Sequence, residues 1–385
     1  MGKADTRATR DFTPFELSDP QRIAWLRLIR SENVGPATFR DLVNHCGSAQ
    51  TALDMLPELA KRGGRMAKVK VATQVQAENE IAAITKHGAK LVGIGEPHYP
   101  LALRTMDQPP PLVTIKGSTD VVVRTAIGIV GSRNASMAGI KMARVLAGEL
   151  ASRGYATVSG LARGIDRAAH EESLHIGTIA VLAGGINKPY PPENLELLHE
   201  IETNQRGCSL TEQPFNWEPR AKDFPKRNRL IAGLCAGLVV VEAAQRSGSL
   251  ITARIAGELG RHVMAVPGSP LDPRAQGTNG LIRNGATLVA NVDDIVEAIT
   301  PIAGGGAMPS ADQSQLLEPD DSFTLPPPDS VRERIVGLLG PTPIDLDDII
   351  AESDASPSEV FLVILELDLA GRVERHSGNR VSLLM

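Results

Sequence analysis

Residues 224–233, FPKRNRLIAG, set Lys226, Arg227 and Arg229 around Asn228 directly after a Phe-Pro pair, and then turn apolar without a break. From Trp217 to Leu230, five cations (Arg220, Lys222, Lys226, Arg227, Arg229) stand against Glu218 and Asp223, a net of +3 in fourteen residues. Tyr190, Phe215, Trp217 and Phe224 supply aromatics nearby in a chain where aromatics make up only 3%. Cations interleaved with aromatics suit single-stranded nucleic acid, whose phosphates need charge and whose bases need a flat surface, worth about 1–3 kcal/mol per stacked base. Pro225 fits the first turn of a helix, where its missing N–H costs nothing. Arg227 shares a helical face with Leu230, Ile231 and Leu234, so it belongs to a core-facing stripe and is expected to point into a crevice. Lys226 and Arg229 lie off that face and read as solvated. The plain structural alternative makes Phe224 a helix staple and the cations an exposed helix end.

A second set of residues points the same way. Small, polar or cationic residues follow six separate apolar runs: Gly131-Ser132-Arg133, SGLARGID (159–166), GGINKPYP (184–191), the FPKRNRLIAG segment, RSGSLITA (246–253) and PGSPLDPRAQGTNGLIRNG (267–285). Glycines let a backbone approach a ligand closely, and helix N-termini favour anions. Arg133 and Arg227 can fork onto phosphate oxygens. There is no Walker A loop and no G-x-G-x-x-G fingerprint, and no acidic ribose-binding residue follows the second run, which disfavours a dinucleotide dehydrogenase. Catalytic groups are thin. Asp166 and His170 sit at i, i+4, Glu242 ends an apolar run, and Ser249 and Thr252 have no partner base, so neither a triad nor a metal site assembles. Asp166 reads as a cap or a buttress of the glycine loop, and His170 as an ordinary helix histidine. No catalytic residue, metal or cofactor is expected.

The elements that must position these residues follow from periodicity. Runs at 126–131, 155–160, 178–184, 208–214, 237–243, 262–268 and 286–290 read as strands, with amphipathic helices between them. Continuous apolar strands alternating with helices predict a parallel sheet covered on both faces, a doubly wound α/β Rossmann-like domain over 91–300. In such a sheet ligands bind beyond the carboxyl ends of the strands, where the residues above gather. Residues 1–90 read as helices around a Gly-Pro turn, NVGPATF, a SAM-like or helix-hairpin-helix domain; KRGGRMAKVK (61–70) reads as a basic loop. Residues 301–329 are rich in Pro, Gly, Ser and Asp and read as a flexible linker. Residues 330–385 give three helices and a hairpin, a winged-helix pattern. That segment holds five Lys/Arg against ten Asp/Glu, the wrong sign for a duplex reader, and is expected to contact protein or to bind DNA only weakly.

The full chain of 385 residues carries a net charge of −5, with 42% apolar and 22% charged residues, so any polyanion site is a local patch. Three scattered cysteines (Cys46, Cys208, Cys235) give no disulfide framework or zinc spacing. With no apolar stretch at the N-terminus and no run long enough to span a membrane, the expectation is a soluble, cytoplasmic protein.

In order and spacing, GSR, SGLARGID, FPKRNRLIAGL, VVVEAAQRSGSLITARIA and VPG…GTNGLIRNGA resemble the DNA-processing protein A family, DprA or Smf, over roughly residues 95–298. The resemblance implies a non-enzymatic protein that binds incoming single-stranded DNA in natural transformation, protects it, loads the RecA recombinase, and dimerises through the Rossmann domain. It implies that Gly131, Ser132 and Arg133 meet phosphate, with Ser159, Gly160, Ala162 and Gly164 lining the pocket through backbone amides. Phe224 would stack on a base, Arg227 and Asn228 would contact the strand or hold the pocket, and Ser247, Gly248 and Ser249 would close its far side. A lysine common in the family is replaced by Ala221, with the flanking Arg220 or Lys222 expected to take its place on the DNA, and the third loop carries Asn187 in place of Asp. Two other classes share such a crevice: a phosphoribohydrolase-like enzyme acting on nucleoside monophosphates, and a nucleotide sensor with a winged-helix output.

Overall fold

The computed structural model describes residues 16–303, 327–376 and 378–384. Most of the segment read as a linker, 304–326, lies outside the described residues. At its start, helix continues to Ala303.

The chain opens with four helices: α1 (Asp19–Ile29), α2 (Pro36–Cys46), α3 (Ala49–Arg62) and α4 (Gln74–Lys86). Ser18 with Gln21, and Thr73 with Gln76, form reciprocal capping boxes on α1 and α4, satisfying amides that a helix start leaves open. Gly35 and Pro36 begin α2.

A nine-stranded sheet follows. Its elements in chain order are β1 (Ala89–Gly93), α5 (Leu101–Arg104), β2 (Leu112–Gly117), β3 (Ala126–Val130), α6 (Met137–Ser152), β4 (Ala156–Ser159), α7 (Ile165–Ser173), β5 (Thr178–Val181), α8 (Leu195–Thr203), β6 (Gly207–Thr211), α9 (Asp223–Leu234), β7 (Gly237–Val240), α10 (Gly248–Glu258), β8 (His262–Ala265), α11 (Gln276–Arg283), β9 (Thr287–Leu288) and α12 (Val292–Ala303). The strand order is β1-β2-β6-β5-β4-β3-β7-β8-β9. From β6 to β9 every pairing is parallel, as the apolar runs predict. The sequence reading did not include β1 and β2, which add an antiparallel extension onto β6. Period-two alternation divides the strand side chains between two cores: Leu238 and Val240 join one face, Val239 and Val241 the other.

Strand order reverses at β3. The chain builds β4, β5 and β6 outward on one side, then crosses back to lay β7, β8 and β9 on the other. The loops after β3 and β7 therefore diverge and leave a crevice, the switch point where such sheets bind ligands.

The C-terminal segment comprises α13 (Asp329–Leu338), β10 (Ile344–Asp345), α14 (Leu346–Ser353), α15 (Pro357–Leu369), β11 (Val373–His376) and β12 (Arg380–Leu383). Three helices and a small antiparallel sheet, order β10-β12-β11, make a winged helix. No helix among the described residues is long and apolar enough to cross a membrane.

Candidate nucleic-acid interface

A cavity of about 880 Å³ occupies the switch point. The β3 loop contributes Gly131, Ser132, Arg133 and Asn134. The β7 loop and the start of α10 contribute Ala244, Arg246, Ser247, Gly248, Ser249, Ile251 and Thr252. Phe224, Pro225, Arg227, Asn228 and Ile231 of α9 form another wall, with Val130, Ala162, Asp166, Tyr190, Pro219 and Ala221 completing the lining.

Phe224 stands within reach of two cations: the Arg133 guanidinium lies 5.4 Å and that of Arg227 5.9 Å from its ring centroid. Tyr190, 48% exposed, meets Phe224 edge to face with centroids 5.7 Å apart. An aromatic platform with guanidinium groups beside it is the arrangement that base stacking and phosphate neutralisation require. Arg133 and Arg246 are exposed, and neither forms an ion pair among the described residues, so both can accept phosphate.

Arg227 does something different. It is 6% exposed, and its Nη1 donates to Gly160 O at 2.7 Å and to Val181 O. Its Nε donates to Asn228 Oδ1 at 3.3 Å. The residue ties α9 to the ends of β4 and β5 while its charge stays at the cavity wall. Burial pushes its pKa down to about 10, Asp166 pulls it up and Arg133 pulls it down, which leaves it charged at neutral pH. Gly160 makes this packing possible: a Cβ there would sit 2.7 Å from the Arg227 guanidinium nitrogens.

Besides α9, whose first turn forms a wall, three helices start beside the crevice, and carboxylates hold the backbone amides at two of those starts. Glu242 accepts from Ser136 N at 2.9 Å and from Ser136 Oγ, filling the anion position at the start of α6. Asp166 accepts from Gly160 N at 3.0 Å and Ala162 N at 3.4 Å, which ties up the glycine loop before α7. Burial raises the Asp166 pKa while Arg227 and these amides lower it. Of these three, α10 is capped without a carboxylate: the Ser247 hydroxyl accepts from Ser249 N at 3.3 Å and pairs with Ser249 Oγ at 2.7 Å. The N-terminus of α10 therefore keeps its positive end for an incoming anion.

The structure thus gathers Gly131, Ser132, Arg133, Ala162, Phe224, Arg227, Asn228, Ser247, Gly248 and Ser249 around one cavity. Four other predicted residues stand off its lining. Ser159 is fully buried, its hydroxyl donating to Ile129 O at 2.6 Å. Gly160 lies behind the Arg227 side chain. Gly164 begins α7 with a φ of +75°. Lys222 is exposed at the start of α9. The amides of Gly160 and Ala162, expected to line the pocket, are turned to Asp166 because the buried carboxylate needs them. Arg229, read as solvated, pairs with Glu212 and donates to Gln108 O at 3.0 Å. Of the neighbouring aromatics, Phe215 packs on His87 away from the crevice, and Trp217 lies under Arg220 with a ring distance of 5.0 Å. Arg246 and Asn134 were missed, although Arg246 opens the RSGSLITA segment. His170 is buried beside Thr178 at 2.7 Å and does not line the cavity; burial pushes its pKa down to about 3.

Fold and site together define a Rossmann-like protein with an arginine-lined cavity at its switch point. Comparison with known proteins narrows this. Residues 90–300 match the family model described as DNA recombination-mediator protein A, residues 19–83 a DprA-like N-terminal HHH domain, and residues 319–379 a DprA winged helix domain. Protein Smf of Escherichia coli (strain K12) is 35% identical over 313 residues, covering 80% of each chain. Protein Smf of Synechocystis sp. is 30% identical over 403 residues, covering 94% of this chain and 99% of that one. Among solved structures, DNA processing protein A from Streptococcus pneumoniae superposes with a TM-score of 0.60 at 31% identity, over 72% of this chain and 96% of that one. DNA processing protein A from Helicobacter pylori, described for its single-stranded DNA binding mode, gives a TM-score of 0.51 at 26% identity, over 56% of this chain and 96% of that one. The chain belongs to the DNA recombination-mediator protein A family.

Proposed function

We propose that the switch-point crevice binds single-stranded DNA with little sequence preference, and that the chain acts as a recombination mediator. In this role it protects incoming single strands during natural transformation and passes them to the RecA recombinase in the cytoplasm. The observation that carries the proposal is the Phe224 ring at the cavity wall with Arg133 and Arg227 beside it and the carboxylate-free start of α10 lining the same cavity. The single-stranded DNA binding named for the Helicobacter pylori relative supports it. A non-enzymatic role fits the way Glu242 and Asp166 are spent on helix starts, with His170 buried behind the sheet; a nucleoside monophosphate hydrolase needs a carboxylate free to act on the ribose. A homodimer through the Rossmann domain is in keeping with the open edge at β9, where Leu288 is 47% exposed, and with Leu271, 91% exposed, in the loop after β8.

Titration of a fluorescent oligo(dT) tests the site. Phe224→Ala should weaken binding by about 1–3 kcal/mol, the worth of one stacked base, with secondary structure unchanged. Wild-type affinity in both Phe224→Ala and Arg133→Ala would remove the crevice from the DNA path.

A further inference from the structure

The segment between β6 and α9, EQPFNWEPRAK (212–222), carries one of the two tryptophans of the chain, and it is packed down onto the sheet. Trp217 N donates to Pro214 O, and Gly185 N donates to Trp217 O, both at 2.9 Å. The glycine pair in the loop after β5 makes room for it. A Cβ on Gly185 would overlap Pro214 O and Phe215 O, and one on Gly184 would stand 3.0 Å from Trp217 O. Neither glycine has a positive φ, so their missing side chains serve this close approach and not a turn.

Asp223 then fixes the ring. Its carboxylate, 2% exposed, accepts from Trp217 Nε1 and from Arg220 N, each at 2.9 Å, and the next residue in the chain is Phe224. One buried carboxylate thus sets two aromatic side chains, Phe224 at the crevice wall and Trp217 beyond its rim. Pro219 and Ala221 line the crevice, while Arg220 between them does not. The Arg220 guanidinium lies over the indole instead, 5.0 Å from the ring centroid. Arg220 is exposed and Trp217 partly so, and no carboxylate forms an ion pair with Arg220 among the described residues. The neighbouring acid, Glu218, is held by Lys188 at 2.7 Å. A planar cation over an indole offers a flat surface and a positive charge together, which is what an unpaired base and its phosphate require.

We propose that Trp217 and Arg220 form a second base-stacking site, which takes an unpaired base of the strand where it leaves the crevice over the rim at residues 219–221. The path of the strand rests on the crevice reading. Asp223 holds the indole in place before any ligand arrives, so the ordering cost is already met. A duplex keeps its bases stacked on one another, so this site adds to the preference for single strands.

Trp217 supplies its own signal. The other tryptophan, Trp25, packs on Phe39 in the N-terminal helices, and Trp25→Phe leaves Trp217 as the sole indole of the full chain. In that variant saturating oligo(dT) should quench the tryptophan emission by at least half. An abasic oligomer of the same length, with the phosphates and no bases, should leave the emission unchanged. Trp217→Ala should weaken oligo(dT) binding by about 5- to 150-fold, the worth of one stacked base. Trp217→Ala also removes a hydrogen bond to Asp223, so Arg220→Lys is the second variant: it keeps the charge and the indole, loses the plane, and should weaken binding by about two- to fivefold. Emission unaffected by oligo(dT), or quenched equally by the abasic oligomer, would overturn the second site, as would wild-type affinity in both variants. Phe224→Ala separates the failures. Weakened binding there with an unresponsive Trp217 removes the second site and leaves the crevice; wild-type affinity there with Trp217 quenched removes the crevice and leaves the second site.

Discussion

Arg133 and Arg227 stand at similar distances from the Phe224 ring and should behave differently when removed. Arg133 is exposed without an ion-pair partner among the described residues, so Arg133→Ala should weaken DNA binding and leave stability within about 0.5 kcal/mol. Arg227→Ala strands Asp166 and the carbonyls of Gly160 and Val181 in a buried site. Breaking such a network should cost about 3–5 kcal/mol of stability, read by chemical denaturation, along with binding. Spacing alone put Arg227 on the buried face of its helix. It did not reveal the carbonyl partners, which come from residues 67 and 46 positions away, and so an arginine read as a phosphate ligand is also a structural tie. His170 makes a pH prediction. Its folded pKa of about 3 lies below the ordinary 6.5, so the unfolded chain binds the extra proton as pH falls. Stability from this group is complete above pH 6.5 and declines by up to about 1.4 kcal/mol per unit between there and pH 3. His170→Gln should flatten that acid limb of the stability curve.

At the scale of elements, the crevice is defined by which helix starts are filled. Glu242 occupies the start of α6 and Asp166 the loop before α7, leaving α10 for the ligand. Glu242→Ala should cost about 1 kcal/mol of stability, the usual worth of an N-terminal cap and its dipole contact, measured by urea unfolding. The parallel strands were legible because each is a short continuous apolar run followed by glycine or a polar turn. The extension was not. AKLVG and LVTIKG flank the proline-rich stretch EPHYPLALRTMDQPPP, and the pairing of LVTIKG with β6, on which AKLVG then adds, depends on tertiary contacts that no local pattern records. Which amides the carboxylates would take was equally hidden, since the partners of Glu242 lie 106 residues away.

At the scale of the whole molecule, a chain of net charge −5 brings Arg133, Arg227 and Arg246 to one crevice and packs its acidic C-terminal domain on the N-terminal helices. The acidity of the winged helix was legible; that the domain packs on the N-terminal helices was not, because the docking face is an unremarkable set of leucines until both domains are seen together. The central claim is that the crevice carries the DNA contacts. The most direct test is oligo(dT) affinity measured across a salt series for the wild type and for Arg133→Ala with Arg246→Ala. Binding should be salt-sensitive, with the log–log slope of the double variant shallower by about 1.4, two single-strand phosphate contacts. An unchanged slope and affinity would contradict it.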